Sequence, residues 1–367
     1  MFHPDESHGF GELNRKSEKA RRLSRSAVGL ARLPTNCHAL FNRSVLSADM
    51  YRRLQPMKGD QMASSTCVSG EAAVLRATLP TNIANRPITI IGAGTLGRRI
   101  ALMMCTQGGE VRLYDTGDKA RDAGVSFVKD GLAELVPRVR NGRAGAILGF
   151  SDLAAALGGA WLVIESVPEI PALKRKVLGE LDSLCDADAI ITSNSSSFPS
   201  SELIDEVKHP ERLLTSHFYM PPRVTPVELM TCGKTDPAVI DMLMAEFAKY
   251  GVVPFKVHQE SVGLIFNRVW AAIKRESLYV VAQGISTPED LDSIYKLILG
   301  ADVGPFRTMD QVGLDVVLAI EEHYATLRPG LPEESRDLLK GYIAKGWLGI
   351  KSGRGFYDDY KDHPNPA

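Results

Sequence analysis

Short apolar runs alternate with longer amphipathic stretches along the middle of the chain, and this alternation predicts its elements. Ile88-Thr89-Ile90-Ile91 is a β-rich apolar run of strand length, and a helix is expected over residues 98–107, stopped by Gly108-Gly109. Residues 111–114 read as a second strand. Further strands are expected over residues 161–166, 189–192, 213–216 and 252–257, with helices over 172–185 and 238–250. Repeated strand, helix, strand order predicts a parallel sheet joined by right-handed crossovers. After His258 the pattern changes, because residues 262–284, 288–299, 312–327 and 334–345 all carry helical spacing and no strand pattern follows. The predicted fold class is therefore α/β, a Rossmann-type doubly wound parallel sheet over residues 85–257, followed by an all-α C-terminal domain over residues 258–360. No internal repeat is evident.

Residues 1–80 differ in texture. Arg15, Lys16, Lys19, Arg21, Arg22 and Arg25 cluster without periodicity, and a disordered extension is expected. Asp5, Glu6 and Glu12 weaken a mitochondrial reading of this segment, no apolar core of a secretory signal appears, and Met62 is a candidate alternative start. These features favour a cytoplasmic protein over a mitochondrial one.

Composition narrows the partners. The 367 residues are 44% hydrophobic and 24% charged with a formal net charge of -1, which fits a globular protein and gives no electrostatic footprint for nucleic acid. No apolar run approaches a membrane span. The five cysteines are scattered and lack CxxC spacing, so a reducing compartment is expected and no structural metal site.

The first chemistry-bearing motif is Gly92-Ala93-Gly94-Thr95-Leu96-Gly97, a G-x-G-x-x-G run between a predicted strand and helix. Gly92 allows a tight turn, Gly94 lets a pyrophosphate approach the backbone, and Gly97 lets helix and strand pack closely. The loop residues Thr95 and Leu96 open the helix, whose free N–H groups and partial positive charge suit phosphate. Asp115 ends the next strand, where a carboxylate accepts from a ribose diol and repels a 2′-phosphate. NAD rather than NADP is the expected cofactor, although Lys119 lies near.

With these residues in place, the chain from about residue 87 to 360 resembles the L-3-hydroxyacyl-CoA dehydrogenases, together with their relatives of the L-gulonate 3-dehydrogenase, or lambda-crystallin, type. The resemblance rests on ordered blocks: Ile164-Glu165-Ser166-Val167-Pro168-Glu169, Thr192-Ser193-Asn194-Ser195-Ser196-Ser197, Ser216-His217-Phe218, Pro226-Val227-Glu228-Leu229, the run from Gly263 through Asn267-Arg268, Gly304-Pro305-Phe306, and Gly353-Arg354-Gly355-Phe356-Tyr357. It implies an oxidoreductase that moves hydride between C3 of a 3-hydroxyacyl substrate and NAD, belonging to fatty acid metabolism and acting as a homodimer. It implies His217 as general base, Glu228 as the carboxylate that orients its imidazole, and Ser196 and Asn267 as hydrogen-bond partners of the reacting oxygen. Glu169 and Asn194 fall on the nicotinamide side, and Lys174 near the substrate thioester or the cofactor.

The chemistry agrees with that assignment. Loss of hydride from a carbinol carbon requires loss of the hydroxyl proton, and an imidazole suits that task. His217 ends a predicted parallel strand, where α/β sheets place ligands. His209 and His323 sit in polar surroundings and read as solvated.

Two departures bear on the substrate. The family reads His-Phe-Phe-Asn-Pro or His-Pro-Val-Asn-Pro, whereas here His217-Phe218-Tyr219-Met220-Pro221 loses the asparagine to Met220, and the spacing from His217 to Glu228 is one residue short. Both are expected beside the substrate, so a CoA-linked substrate competes with a free hydroxy acid such as L-gulonate or a carnitine-like molecule, with Arg223 and Lys174 as candidate anion clamps. A non-catalytic NAD-binding protein is a third reading. The β-hydroxyacid dehydrogenases are a fourth, disfavoured because their catalytic lysine has no counterpart beside Asn267-Arg268.

Overall fold

The computed structural model describes residues 76–360, so most of the expected N-terminal extension, with Met62, lies outside the described residues. An eight-stranded sheet has the order β3-β2-β1-β4-β5-β6-β7-β8. Its strands are β1 Ile88–Ile91, β2 Glu110–Tyr114, β3 Ala146–Phe150, β4 Leu162–Glu165, β5 Ile190–Ser193, β6 Leu213–Met220, β7 Val224–Met230 and β8 Val253–Lys256. From β3 to β6 every pairing is parallel. The last two strands run the other way, because β7 returns antiparallel along β6 and β8 pairs parallel with β7. This is the doubly wound sheet with a hairpin added at one edge.

Helices cover both faces. In chain order they are α1 Thr95–Met104, α2 Asp118–Leu135, α3 Leu153–Leu157, α4 Pro171–Leu184 and α5 Pro237–Phe247. Strands covered on both sides must be apolar on both sides, which is why β1, β4 and β5 are fully buried. Alternate residues then go to opposite layers. Ile90, Ile164 and Ile190 pack with Ile100, Val128 and Leu243 on one face, while Ile91, Val163 and Ile191 pack with Leu178 and Leu181 on the other.

Beyond β8 the chain is helical: α6 Phe266–Ala282, α7 Pro288–Leu299, α8 Pro305–Val312, α9 Leu314–Leu327 and α10 Glu334–Ile343. Their core gathers Leu278, Phe306, Met309, Leu314, Val317, Leu339 and Phe356. The expected helix over 312–327 is interrupted at Gly313 (φ 104°), a conformation that separates α8 from α9. Two of the family blocks are anchors of this core. Asp292 accepts from the N–H groups of Phe306 and Arg307, and Asp310 from those of Phe356 and Tyr357. A Cβ on Gly304 or Gly355 falls within 2.3 or 2.0 Å of those aspartates, so each block needs its glycine for packing.

No helix among the described residues is long and apolar enough to cross a membrane, and no group of three His, Cys, Asp or Glu among them is placed to hold a metal.

Candidate active site

The carboxyl ends of β1, β4, β5 and β6 meet at one cleft. Backbone bonds stitch these ends together: Gly92 N–H donates to Tyr114 O (2.8 Å), Ser166 N–H to Ile91 O (2.7 Å) and Asn194 N–H to Glu165 O (2.8 Å). The cleft has a volume of about 270 Å³ and is lined by Leu96, Ser166, Val167, Glu169, Asn194, Ser196, His217, Phe218 and Tyr219. Leu96 of the glycine-rich motif and the imidazole of His217 therefore line one cavity.

The three glycines of the turn are not equivalent. Gly92 has φ 102°, and a Cβ there meets Ser166 O at 2.6 Å; on Gly97 it meets Gly92 O at 1.8 Å. Packing within the protein explains both. On Gly94 it meets nothing within 4 Å, so the protein itself does not require glycine there. What a side chain at Gly94 obstructs is the open space in front of the N-terminus of α1, which fits the approach of a dinucleotide pyrophosphate. Thr95 is exposed in the same place. Asp115 is drawn over the turn, accepting from Ala93 N–H and Gly117 N–H at 2.8 Å each.

His217 lies within β6 rather than after it, because that strand runs on to Met220. It is 6% exposed, and its Nδ1 is buried without a hydrogen-bond partner among the described residues, which leaves Nε2 as the nitrogen open to the cleft. Burial disfavours the imidazolium and holds His217 down at about 4, against the opposing pull of the Glu228 and Glu169 carboxylates.

The antiparallel register places Glu228 directly across from His217. The expected orienting bond is nevertheless absent. Glu228 Oε1 accepts from Tyr219 Oη (2.5 Å) and Phe266 N–H (3.0 Å), and its Oε2 accepts from Ile265 N–H (2.7 Å). The start of α6 and the tyrosine supply the donors the sequence reading gave to the imidazole, so Glu228 acts on His217 through its charge. Tyr219, which sequence reasoning missed, meets His217 edge-on with ring centroids 4.5 Å apart. Period-two alternation was the available signal, since residues 217 and 219 of one strand share a face.

The serine run resolves itself by hydrogen bonding. Ser193 donates to Glu165 (2.6 Å) and Ser195 to Glu169 (2.7 Å), leaving the Ser196 hydroxyl only a 3.3 Å contact with Ser197 and a place on the cleft wall. Asn194 Oδ1 accepts from Phe218 N–H at 2.8 Å, tying β5 to β6. Asn267, in the first turn of α6, is half-buried and its side chain makes no hydrogen bond among the described residues; it is not part of the cleft wall.

Glu169 Oε1 accepts from Ser195 Oγ, Ser196 N–H and Ser197 N–H. Burial pushes its carboxyl upward, but the neighbouring Lys174 and these donors outweigh it and hold it below the usual carboxylate range.

Lys174 is a correction. Its side chain is 1% exposed, and its Nζ lies 2.8 Å from Glu165 Oε1, 3.3 Å from Glu169 Oε2 and 3.3 Å from Val167 O. A fully engaged interior ammonium is not a clamp for substrate or cofactor; it braces the β4–α4 turn. Met220 is a second correction. It ends β6 at 38% exposure outside the cleft wall, so loss of the family's asparagine does not reshape that wall directly.

A glycine turn on a doubly wound sheet, open to a buried imidazole between carboxylates, defines an NAD-dependent oxidoreductase acting on a CH–OH group. Residues 87–261 match the family described as 3-hydroxyacyl-CoA dehydrogenase, NAD binding domain, and residues 263–359 match its C-terminal domain. The chain belongs to the 3-hydroxyacyl-CoA dehydrogenase family. It is 33% identical over 282 residues to a probable 3-hydroxybutyryl-CoA dehydrogenase of Bacillus subtilis, covering 74% of this chain and 97% of that one. It is 34% identical over 233 residues to the lambda-crystallin homolog of Bos taurus, covering 60% and 73%. Among solved structures, (S)-3-hydroxybutyryl-CoA dehydrogenase from Ralstonia eutropha aligns with a TM-score of 0.66 at 29% identity, covering 74% of this chain and 98% of that one.

Proposed function

We propose that the cleft interconverts a 3-hydroxyacyl-CoA and its 3-ketoacyl form, with His217 taking the hydroxyl proton at Nε2. One observation carries this reading: His217 and Leu96, a residue of the dinucleotide motif at the start of α1, line the same 270 Å³ cavity. Bound there, NAD supplies the hydride acceptor. The protein's part is to hold the proton acceptor neutral, keep it desolvated, and stabilise the imidazolium that forms. Burial does the first two, and the nearby charges of Glu228 and Glu169 do the third. Ser196, with its hydroxyl on the cleft wall, is the donor positioned for the substrate oxygen. Asn267 becomes a second donor only if α6 moves toward the cleft as substrate binds.

Support for a homodimer comes from the helical region, which exposes Ile285 (69%), Leu297 (84%) and Ile298 (74%). Support for a cytoplasmic setting comes from the scattered cysteines, and for a role in fatty acid metabolism from the substrate class of the family. Sedimentation velocity and cell fractionation test the first two, and a monomer at micromolar concentration or a membrane-enclosed location removes them.

The central test follows NADH with acetoacetyl-CoA, free 3-hydroxy acids and L-gulonate. We expect turnover with the CoA ester and a loss of several orders of magnitude in His217→Gln with NAD still bound. Near-normal turnover in that variant defeats the assignment of the base, and a preference for a free acid defeats the CoA-linked substrate.

A further inference from the structure

Glu228 is shared. One of its oxygens takes the Tyr219 hydroxyl and the Phe266 N–H, the other takes Ile265 N–H, and the histidine across the ladder gets none of these bonds. The two backbone donors belong to the entry of α6, so they fix where the carboxylate sits. The third donor is a side chain on the same strand face as His217, in edge contact with its ring and part of the cleft wall. A second edge contact, with Phe266 at 5.7 Å, locks the tyrosine ring between the imidazole and α6.

We propose that Tyr219 is a positioning residue whose hydroxyl takes up part of the charge of Glu228 and so limits how strongly that carboxylate stabilises protonated His217. The inference rests on His217 being the base. A carboxylate has about four acceptor directions. Three are occupied here, and the short bond from the phenol is the one a neighbouring side chain controls. Each donor that concentrates on the carboxylate lowers what remains for the imidazolium.

The other charges facing His217 are few. Glu169 approaches from the β4–α4 turn, with Lys174 3.3 Å behind it and partly cancelling its field. From α6, Arg268 turns away to Ser261 Oγ at 3.1 Å, and the contacts at the helix start are backbone N–H groups. Asn194 and Ser196, from the β5 side, are neutral. Glu228 is therefore the main carboxylate whose grip on the imidazole a single hydroxyl can tune.

Tyr219→Phe removes the hydroxyl and keeps the ring against His217, so packing is preserved while the hydrogen bond is lost. In the holoenzyme, the acidic limb of kcat/KM for alcohol oxidation is expected to move upward by about one pH unit, the scale of one charge-assisted hydrogen bond. The His217 ring resonance, titrated over the same range, reports the same shift independently of rate. In a Glu228→Gln background the carboxylate charge is gone, and Tyr219→Phe is expected to move neither readout by more than about a quarter of a unit. An unmoved resonance in Tyr219→Phe overturns the proposal, as does an equal shift in both backgrounds. His217→Gln separates this from the wider reading: if it abolishes turnover while Tyr219→Phe shifts nothing, the tyrosine has no such role and the base assignment stands.

Discussion

Lys174→Met distinguishes an internal brace from a substrate clamp. In the folded protein Glu165 is fully buried, and its two oxygens take Val167 N–H (2.7 Å), Lys174 Nζ (2.8 Å) and Ser193 Oγ (2.6 Å). Methionine fills the lysine's volume, so no large cavity opens, but a buried carboxylate loses its cation. Removing one partner of a buried pair costs about 3–5 kcal/mol. Glu169 bears little of that, since it is a third exposed and keeps three other donors. Glu165 keeps two donors, which sets the expectation at the lower end, about 3 kcal/mol, or a fall in Tm of about 6–12 °C. Thermal unfolding measures this, and Glu165→Gln added to Lys174→Met should recover at least half, because the uncompensated charge is then gone. A loss below about 1 kcal/mol together with a tenfold rise in KM refutes the reasoning and returns Lys174 to the substrate.

Two further outcomes follow from the same geometry. Gly94→Ala should fold with an unchanged Tm and bind NAD at least about tenfold more weakly by calorimetry, whereas Gly97→Ala, with its Cβ 1.8 Å from Gly92 O, should lose stability before any cofactor is added; equal behaviour contradicts the division of labour in the turn. His217 also links stability to acid. Its folded value of about 4 lies below the ordinary 6.5, so the unfolded chain binds the extra proton first as pH falls. Its contribution is complete above pH 6.5 and is lost between there and about 4, reaching about 3 kcal/mol, and His217→Gln should flatten the urea-unfolding profile over that window.

The cofactor half of the site was legible because its signals are local. A glycine turn between a strand and a helix carries its own geometry, and Ile88–Ile91 is apolar enough to be a strand buried on both faces. Edge and pairing features were harder to see. β3 exposes Leu148, and α2 buries only Gly124, Val128, Leu132 and Leu135 over 18 residues, so neither stands out from the surrounding sequence. The strand β7 contains Pro226 and was recognised only as a motif; its return along β6 is what sets Glu228 against His217. Lys174 was misplaced for a related reason. It shares the inward stripe of α4 with Leu178 and Leu181, and sequence alone set it beside the substrate or cofactor because the partners that hold it come from other elements. Glu165, at the end of an apolar strand, was the signal that a buried cation had to be nearby.

The same limit explains why two adjacent residues of β6 differ in consequence. Met220 and Tyr219 are consecutive, and sequence alone made the lost asparagine the more telling change. A strand, however, sends consecutive side chains to opposite faces. Phe218 goes inward against Phe247, with ring centroids 5.4 Å apart, and Tyr219 returns to the face of His217. Past a register shift, Met220 leaves the cleft altogether. Parity along β6 thus decides which residue reaches the chemistry. It directs attention from a missing amide to a hydroxyl, one that touches no substrate atom itself and acts through the carboxylate it shares with the base.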